Sequence, residues 1–248
     1  MSMNILAIDT SAITATAAVM VDSSLVAAFS VNLKMEHSTR MLPMIDTVLS
    51  SAGLKPTDID LFAVSAGPGS FTGLRIGIST IKGLAFPFNT PCAAVSTLEA
   101  LAYNLAFAGN MIICPVMDAR RNEFYNALFT VSDSKGTLVR LTPDRAISAD
   151  ALFDELFATG KAVLLNGDGA KKLYNIFSNK CAQEGRNFTY KLAPEHLIYQ
   201  NAATVALLGE KSMSEGNKLA PAMLSPVYLR ESGAERTKKS NEIGVNEK

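Results

Sequence analysis

The sequence has few of the residues that build disulfide frameworks and metal centres. It contains three cysteines and two histidines in 248 residues. Cys92, Cys114 and Cys181 are far apart and form no CxxC pair. Neither a disulfide framework nor a thiolate zinc site is therefore expected, and reduced thiols in a cytoplasm fit the pattern better. His37 and His196 stand on unrelated segments, so no metal-binding pair is predicted.

An excess of either charge and long apolar runs are also absent. The 23 basic and 23 acidic residues cancel, and binding to nucleic acid or anionic membrane needs a basic surface, so strong intrinsic affinity for either is not expected. Nucleic acid held jointly with a partner stays compatible with this charge. The first residues carry no basic segment and Asp9 interrupts the first apolar stretch, so no signal peptide is predicted. The longest uncharged run, residues 100–117, reaches the ~18 residues that a membrane span needs, but Asn104, Gly109, Asn110 and Pro115 interrupt it, so no membrane span is expected.

What is present is ample material for a core, arranged in an order of elements that occurs twice. With 48% hydrophobic residues the chain can form one large domain or two lobes. Periodicity predicts the order βββαβα in each half, with Asp9 and Asp118 ending the two first strands. The predicted strands are residues 4–8, 14–21, 25–33, 61–65, 93–95, 111–117, 123–131, 138–142 and 162–166. The predicted helices are residues 37–52, 71–86, 97–107, 148–158, 170–183 and 201–214.

This order predicts two lobes. The first is assigned to residues 1–108, joined by the returning segment at about 200–230, and the second to residues 109–199. The polar residues 231–248 are interpreted as a flexible tail with no packed role.

The sharpest local pattern is a glycine-punctuated turn that leads into a glycine-bearing helix. Residues 67–69 read Gly-Pro-Gly directly after a strand, which demands a tight reversal. The helix that follows has glycines at 73, 77 and 83, and each interior glycine costs ~1 kcal/mol relative to alanine. Three interpretations stay open: an anion site at the helix N-terminus, a helix–helix interface with small residues at the crossing, or packing against the chain's own sheet.

Short segments in order along nearly the whole chain match one family. They are residues 5–11, 37–38 with 42–43 and 45, 65–85, 96–101, 115–121, 167–170 and 228–230. The run 67–77 is highly specific, and the others are weak alone. On these residues the chain resembles the TsaB (YeaZ) family of tRNA threonylcarbamoyladenosine biosynthesis proteins, glycoprotease-like paralogues of the catalytic subunit TsaD.

The resemblance implies the fold and the partners. It implies a duplicated actin-like ATPase fold (ASKHA, ribonuclease H-like) that has lost its own activity. It also implies a scaffold or activator that forms a heterodimer with TsaD and a homodimer when alone. TsaE, an ATP-hydrolysing subunit, joins the complex, and tRNA is bound only indirectly through it. ATP and a divalent metal are expected only in the partner subunits, and the location is the cytoplasm.

The residues themselves bear on the expected loss of activity. TsaD carries a His-x-x-x-His pair after its fifth strand, and the corresponding positions here are Thr97 and Leu101, which are not metal ligands of that kind. Actin-like ATPases usually place a glycine beside the first-strand aspartate, and neither Asp9 nor Asp118 has one. We therefore expect a pseudo-enzyme. The alternatives are a small-molecule kinase or ATPase of the same fold and, less favoured, a metallopeptidase.

Two groups of candidate residues follow. Possible nucleotide contacts at an interface with a partner are Asp9, Thr10, Ser11, Gly167 and Gly169. For Asp9 the favoured interpretation is a structural role that caps the hairpin, and contact with a ligand at a shared interface is the alternative. The expected partner interface lies on the first two helices and consists of Met41, Met44, Ile45, Val48, Gly73, Arg75, Gly77, Ile78 and Lys82. Self-association and partner binding are expected to share this surface and compete, so Ile45→Arg or Gly77→Leu should abolish both without unfolding the chain. Arg120 and Arg121 are candidates for contact with phosphate or RNA, and a solvated strand end is the alternative.

Overall fold

Two mixed β-sheets form the centre of the computed structural model, which describes residues 3–33, 36–132 and 136–230. The predicted flexible tail at residues 231–248 lies outside the described residues. The strands are β1 Asn4–Asp9, β2 Thr14–Val21, β3 Ser24–Asn32, β4 Leu61–Gly67, β5 Cys92–Ser96, β6 Ile112–Asp118, β7 Glu123–Asn126, β8 Phe129–Val131, β9 Leu138–Arg140, β10 Arg145–Ser148, β11 Val163–Asn166 and β12 Tyr190–Leu192. The α-helices are α1 His37–Ser51, α2 Phe71–Ala85, α3 Thr97–Tyr103, α4 Ala149–Ala158, α5 Ala170–Glu184, α6 Glu195–Ile198 and α7 Ala202–Ser214. Short 3₁₀ segments occupy Pro56–Asp58, Phe86–Phe88 and Pro221–Met223.

The two sheets have the same strand order and the same strand directions. The first runs β3-β2-β1-β4-β5, and the main path of the second runs β10-β7-β6-β11-β12. In each, the first two pairings are antiparallel and the last two are parallel. The small strands β8 and β9 branch from β6 and have no counterpart in the first sheet. The predicted duplicated actin-like α/β fold is therefore confirmed.

Both faces of the first sheet are covered by helices. α1 and α2 pack on one face, where residues such as Val48 and Ile81 meet Phe62 of β4 in one buried cluster. The returning helix α7 packs on the opposite face, and it lies so close that a Cβ on Gly209 would be 2.7 Å from the Cβ of Ala63. A sheet buried on both faces explains why β1 and β4 are apolar without alternation.

The second sheet has its own aromatic core, and α3 fills the space between the sheets. α4 and α5 bring Phe153 and Phe177 together with ring centroids 5.3 Å apart in an edge-to-face arrangement. Leu98 and Leu101 of α3 pack in a further cluster with Met117 of β6. The region between the two sheets is thus occupied by apolar side chains.

The structure differs from the predicted elements where strand pairing, and not the local sequence pattern, determines the secondary structure. The predicted strand 123–131 is interrupted at residues 127–128 and forms β7 and β8, and the Asn126 side-chain amide donates to the Pro115 and Ala127 carbonyls at the break. β10 and β12 were not predicted, since each is short and lacks a clear apolar alternation. α3 is shorter than predicted, and the Asn104 amide that follows it donates to the Tyr199 carbonyl at 2.9 Å.

Candidate functional site

The turn after β4 requires glycine at Gly67. This residue has φ +137°, and a Cβ built on it would lie 2.3 Å from the Val227 carbonyl oxygen. Val227 belongs to residues 217–230, which we call the C-terminal strap, and its N–H donates to the Ala66 carbonyl at 2.7 Å. The glycine is needed because another part of the same chain lies against the turn.

The N-terminus of α2 is occupied by the loop between β1 and β2. Ser70 caps the helix, with its Oγ accepting from the Gly73 N–H at 3.3 Å. The Ser70 N–H donates to the Ser11 carbonyl at 2.7 Å, and a Cβ on Gly69 would lie 2.5 Å from that same oxygen. An anion bound at this helix end would have to displace the Ser11 carbonyl.

The glycines of α2 admit the chain's own loop. A Cβ on Gly73 would lie 2.0 Å from the Thr10 carbonyl oxygen, and one on Gly77 would lie 2.5 Å from Thr10 Oγ1. The Thr10 hydroxyl also donates to the Gly73 carbonyl at 2.7 Å. The prediction that Gly73 and Gly77 admit a helix of another subunit is wrong, because these positions are filled within the chain. Gly83 differs, since a Cβ there would meet nothing within 4 Å.

Asp9 is a buried carboxylate held by serine donors. Its Oδ1 accepts from the Ser11 N–H at 2.8 Å and the Ser11 hydroxyl at 2.6 Å, and its Oδ2 accepts from the Ser65 hydroxyl. Burial raises the pKa of Asp9, and these hydrogen bonds oppose that shift only in part. Asp9, Thr10 and Ser11 are all 0% exposed. The prediction that they contact a nucleotide at an interface is contradicted by this burial.

The corresponding turn of the second lobe is closed in the same way. Gly167 has φ +96°, a Cβ on it would lie 2.2 Å from the Val116 carbonyl, and the Gly169 N–H donates to that carbonyl at 3.1 Å. Both glycines are buried, which contradicts their predicted nucleotide contact. Asp168 lies between these two glycines. Burial is the larger cause and the negative charge of Asp118 the second, and together they raise the pKa of Asp168 to about 6.

The turn between β6 and β7 holds Arg120 and Arg121 in an uncommon backbone conformation. Arg120, Arg121 and Asn122 have φ values of 65°, 52° and 62°, a conformation that costs non-glycine residues about 1 kcal/mol or more each. The Arg120 N–H donates to the Asp118 carboxylate at 2.8 Å, and both arginines are exposed. The sequence pattern contained no sign of this strain. The proposed contact with phosphate or RNA stays a prediction.

The apolar residues predicted as a partner surface on α1 belong to the chain's own core. Met41, Met44, Ile45 and Val48 are 1–2% exposed, and Ile78 of α2 is 4% exposed. Their apolar arc is wide because α1 contacts both β2 and β3 as well as α2. The prediction for these five side chains is wrong. The proposed Ile45→Arg test is wrong too, since it would bury a guanidinium group without a partner.

Arg75 and Lys82 are exposed or half-buried, and both contact the strap. The Arg75 guanidinium lies 3.8 Å from the centre of the Phe71 ring, and its Nε donates to the Tyr228 hydroxyl at 3.0 Å. Tyr228 stacks on Phe71 with ring centroids 4.8 Å apart. Lys82 Nζ donates to the Ala222 carbonyl at 3.2 Å.

Large apolar side chains are exposed beside these contacts. We call this surface the α2 face: the outer side of α2 together with the exposed side chains Phe86, Phe88, Met223, Val227 and Tyr228. Phe86 is 68% and Met223 69% exposed. The sequence reasoning missed these five residues. The available signals were the aromatic pair around Pro87 and the match at residues 228–230, to which no role was assigned.

The positions that correspond to the histidine pair of TsaD are buried. Thr97 is 0% and Leu101 1% exposed, and Leu101 packs in the cluster between the sheets. Over residues 3–33, 36–132 and 136–230, no group of three or more His, Cys, Asp and Glu side chains is placed to hold a metal ion. None of the helices in these ranges combines the length and hydropathy that a bilayer span requires.

Comparison with known proteins identifies relatives over most of the chain. Residues 32–238 match the family model described as "TsaD: tRNA N6-adenosine threonylcarbamoyltransferase". The tRNA threonylcarbamoyladenosine biosynthesis protein TsaB of Bacillus subtilis is 36% identical over 166 residues, covering 66% of this chain and 71% of its own. The protein of that name from Escherichia coli is 28% identical over 229 residues, covering 92% of this chain and 95% of its own.

A solved structure shares the fold. YeaZ from Pseudomonas aeruginosa superposes with a TM-score of 0.71 at 24% identity, covering 92% of this chain and all of that one. At this identity the likeness concerns the fold alone.

Two substitutions on α2 distinguish a glycine that packs against the chain's own loop from a glycine that faces open space. Gly77→Ala should lower the free energy of unfolding by about 1–3 kcal/mol, because the new Cβ collides with the Thr10 hydroxyl. Gly83→Ala should raise it by up to ~1 kcal/mol, because the helix gains propensity and nothing is displaced. Urea unfolding of both variants measures the difference, and equal shifts would contradict the assignment.

The buried carboxyl of Asp9 predicts a pH dependence with a defined sign. Because its pKa is higher in the folded than in the unfolded chain, its contribution to stability is complete in acid and is lost as the pH rises through the folded pKa. Asp9→Asn keeps donors and acceptors toward Ser11 and Ser65 but cannot ionise. The variant should therefore gain stability relative to the wild type between about pH 4 and pH 7.

Asp9→Leu is the control for this comparison. It should destabilise the chain by about 1–3 kcal/mol at either pH, because two serine hydroxyls lose their acceptor. Parallel stability curves for the wild type and Asp9→Asn would contradict the assignment.

Proposed function

The chain belongs to the TsaB (YeaZ) family of tRNA threonylcarbamoyladenosine biosynthesis proteins, and from that premise we propose that it is a non-catalytic subunit that binds and activates a TsaD-like catalytic subunit. In this proposal the TsaD-like subunit transfers the threonylcarbamoyl group to tRNA. A TsaE-like ATPase joins the complex, and the partner subunits hold the ATP and the divalent metal. In this proposal the complex acts in the cytoplasm, and this chain contacts tRNA only indirectly, through its partners.

The burial of Asp9, Thr10 and Ser11 carries the proposal. In actin-like ATPases the loop after the first strand wraps phosphates with its backbone amides. Here the Ser11 N–H is taken by Asp9 and the Ser11 carbonyl by Ser70. Side chains that are 0% exposed, with their hydrogen bonds made inside the chain, favour a structural role over substrate handling.

The partner-binding surface in this proposal is the α2 face. Phenylalanine, tyrosine, methionine and arginine are the residues enriched in the buried centres of protein interfaces. Phe86, Phe88 and Met223 each expose more than half of their surface, and Arg75 lies on the same side of α2 as Tyr228. Large apolar side chains exposed together on one surface are typical of a docking site, and these side chains are not part of the chain's own core. This surface keeps helix α2 from the partner interface that was predicted from the sequence. It leaves out the α1 side chains, because they are buried.

Reconstitution tests the function directly. The TsaD-like and TsaE-like subunits, the nucleotide intermediate and tRNA are assayed with and without this chain, and modification should be at least about tenfold slower without it, a barrier difference of ~1.4 kcal/mol. Equal rates would end the proposal. Calorimetric titration of the isolated chain with magnesium ATP is the companion experiment, and tight binding would favour the kinase or ATPase alternative.

Phe86→Glu tests the α2 face. Charging this side chain should weaken binding of the TsaD-like subunit at least about tenfold, because the buried centre of an interface excludes unpaired charge. Phe107→Glu is the matched control, because Phe107 is 69% exposed against 68% for Phe86 and lies outside the α2 face. Sedimentation of the folded variants with the catalytic subunit measures both, and equal affinities would move the interface elsewhere.

A further inference from the structure

A cluster of polar and charged side chains joins the two lobes beside the strands that interrupt the duplication. Arg140, the last residue of β9, forms ion pairs with Glu99 of α3 and with Asp144. Asp144 also accepts a hydrogen bond from the Ser96 hydroxyl at 2.6 Å. Ser96 ends β5 of the first sheet, whereas β9 belongs to the second sheet and has no counterpart in the first. We call Ser96, Glu99, Arg140 and Asp144 the interlobe latch.

Contacts within the second lobe hold Arg140 and Asp144 in place. The Arg140 guanidinium lies 4.6 Å from the centre of the Phe129 ring, which is 1% exposed. The loop that leads from β9 to Asp144 is fixed by a hydrogen bond from the Leu128 N–H to the Thr142 hydroxyl at 2.8 Å. Ion pairs are weakened by the entropy lost when long side chains are ordered, and these contacts reduce that loss.

In the first lobe the interlobe latch is built into the start of α3. The Ser96 Oγ caps the helix by accepting from the Glu99 N–H at 3.2 Å, and the Glu99 carboxylate contacts Arg140 at 2.9 Å. The four residues therefore form a closed ring in which each has two partners. The side chains of Glu99, Arg140 and Asp144 are only 28%, 31% and 20% exposed. Salt screens such a network less than an isolated surface ion pair.

Two asparagine amides connect the lobes again, at the end of α3. Residues 197–199 lead from the second lobe back to α7. Asn104, directly after α3, donates to the Tyr199 carbonyl at 2.9 Å. Asn166, at the end of β11, is 0% exposed and donates to the Leu101 carbonyl of α3 at 2.7 Å. Breaking these hydrogen bonds would leave buried amide groups without partners, which opposes separation at this place.

The C-terminal strap makes a third connection. Arg230 forms an ion pair with Glu123 of β7 and donates to the Ala119 carbonyl at 3.3 Å. The three connections hold different parts of the first lobe, which are the start of α3, the end of α3 and the strap. Rotation of the lobes about any one of these connections is therefore restrained by the other two.

We propose that the interlobe latch is a conformational lock that holds the two lobes at one angle in the free chain. Two-lobed proteins that close around a ligand use a hinge, at which few contacts oppose the motion. Here strands that the first sheet lacks bring a charged ring to the first lobe, and apolar side chains fill the space between the sheets. The chain is a single rigid body, and ligands do not drive closure of its lobes.

Electron spin distance measurements test the lock on the full chain. Nitroxide labels are attached at Ser50→Cys on α1 and Asn179→Cys on α5, which are exposed positions of the two lobes, and Cys181→Ser removes a half-buried thiol. An excess of unlabelled chain restricts the signal to distances within one molecule. The labelled chain should give one narrow distance distribution, and magnesium ATP should leave it unchanged.

Arg140→Met removes both ion pairs of the interlobe latch. It should widen the distribution at least about twofold, because the lobes can then rotate about the line that joins the two remaining connections. Arg186→Met is the matched control and should leave the width unchanged. Arg186 also pairs with two carboxylates, Asp154 and Glu184, and lies 4.2 Å from the centre of the Phe157 ring, but all of these contacts are within the second lobe.

Glu99→Gln repeats the test with a smaller change. It should widen the distribution in the otherwise unchanged chain and have no further effect once Arg140→Met is present, since both substitutions act on the same ion pair. Circular dichroism verifies that each variant is folded. A broad distribution in the unsubstituted chain, a shift on addition of magnesium ATP, or equal widths for Arg140→Met and Arg186→Met would overturn the lock.

The lock has a consequence for the complex, and this consequence rests on the proposed function. A TsaD-like subunit that docks on the α2 face should meet lobes that do not move, so its addition should leave the distance distribution unchanged. A complex that forms and shifts the distance would overturn the lock. Failure of the two subunits to bind would count against the proposed function, whereas the measurements on the free chain decide the lock by themselves.

Discussion

The contact between the β1–β2 loop and the first half of α2 is the constraint on which the rest of the structure depends. Thr10 lies so close to α2 that neither Gly73 nor Gly77 has room for a Cβ. Ser11 accepts a hydrogen bond from Ser70 at the start of the same helix. Two interior glycines weaken an isolated helix by roughly 2 kcal/mol, and the buried contact offsets that loss. α2 is held against β1 and β4 by this fit.

The same contact occupies the loop after β1, where a phosphate-binding loop would bind its ligand. A loop that handles phosphates must leave its amides and hydroxyls open to a ligand, whereas here they are paired inside the chain around the buried Asp9. The second lobe shows the same arrangement, with Gly167 packed against Val116 and Gly169 against Met117 and Asp118. In both lobes these glycines therefore allow close packing of the chain against itself. In our proposal the catalytic step is carried out by a partner subunit.

The C-terminal strap gives the first lobe its asymmetry. It pairs with β5 at Leu219, lies against the turn at Gly67, stacks Tyr228 on Phe71 and places Arg230 beside Glu123 of the second lobe. One sheet edge and one side of α2 are thereby covered in part, and apolar side chains of the strap extend the α2 face. β3 has no such cover in the described part of the chain. The exposed side chains of the α2 face and the uncovered β3 edge follow from this difference.

Element types, their order, the duplication and the glycine-dependent turn could all be predicted from the sequence, because they rest on periodicity and local conformation within short segments. The short strands β10 and β12 could not, since each has only four or three residues without clear apolar alternation and is defined by its pairing with β7 or β11. Periodicity identified Met41, Met44, Ile45 and Val48 as one apolar face, but no local pattern states what covers a face. By itself the sequence determined which surfaces are apolar and where close approach is required. Only the tertiary structure decided that α1 and the glycines of α2 are satisfied within the chain while Phe86, Met223 and β3 stay exposed, because burial is a relation between segments far apart in the sequence.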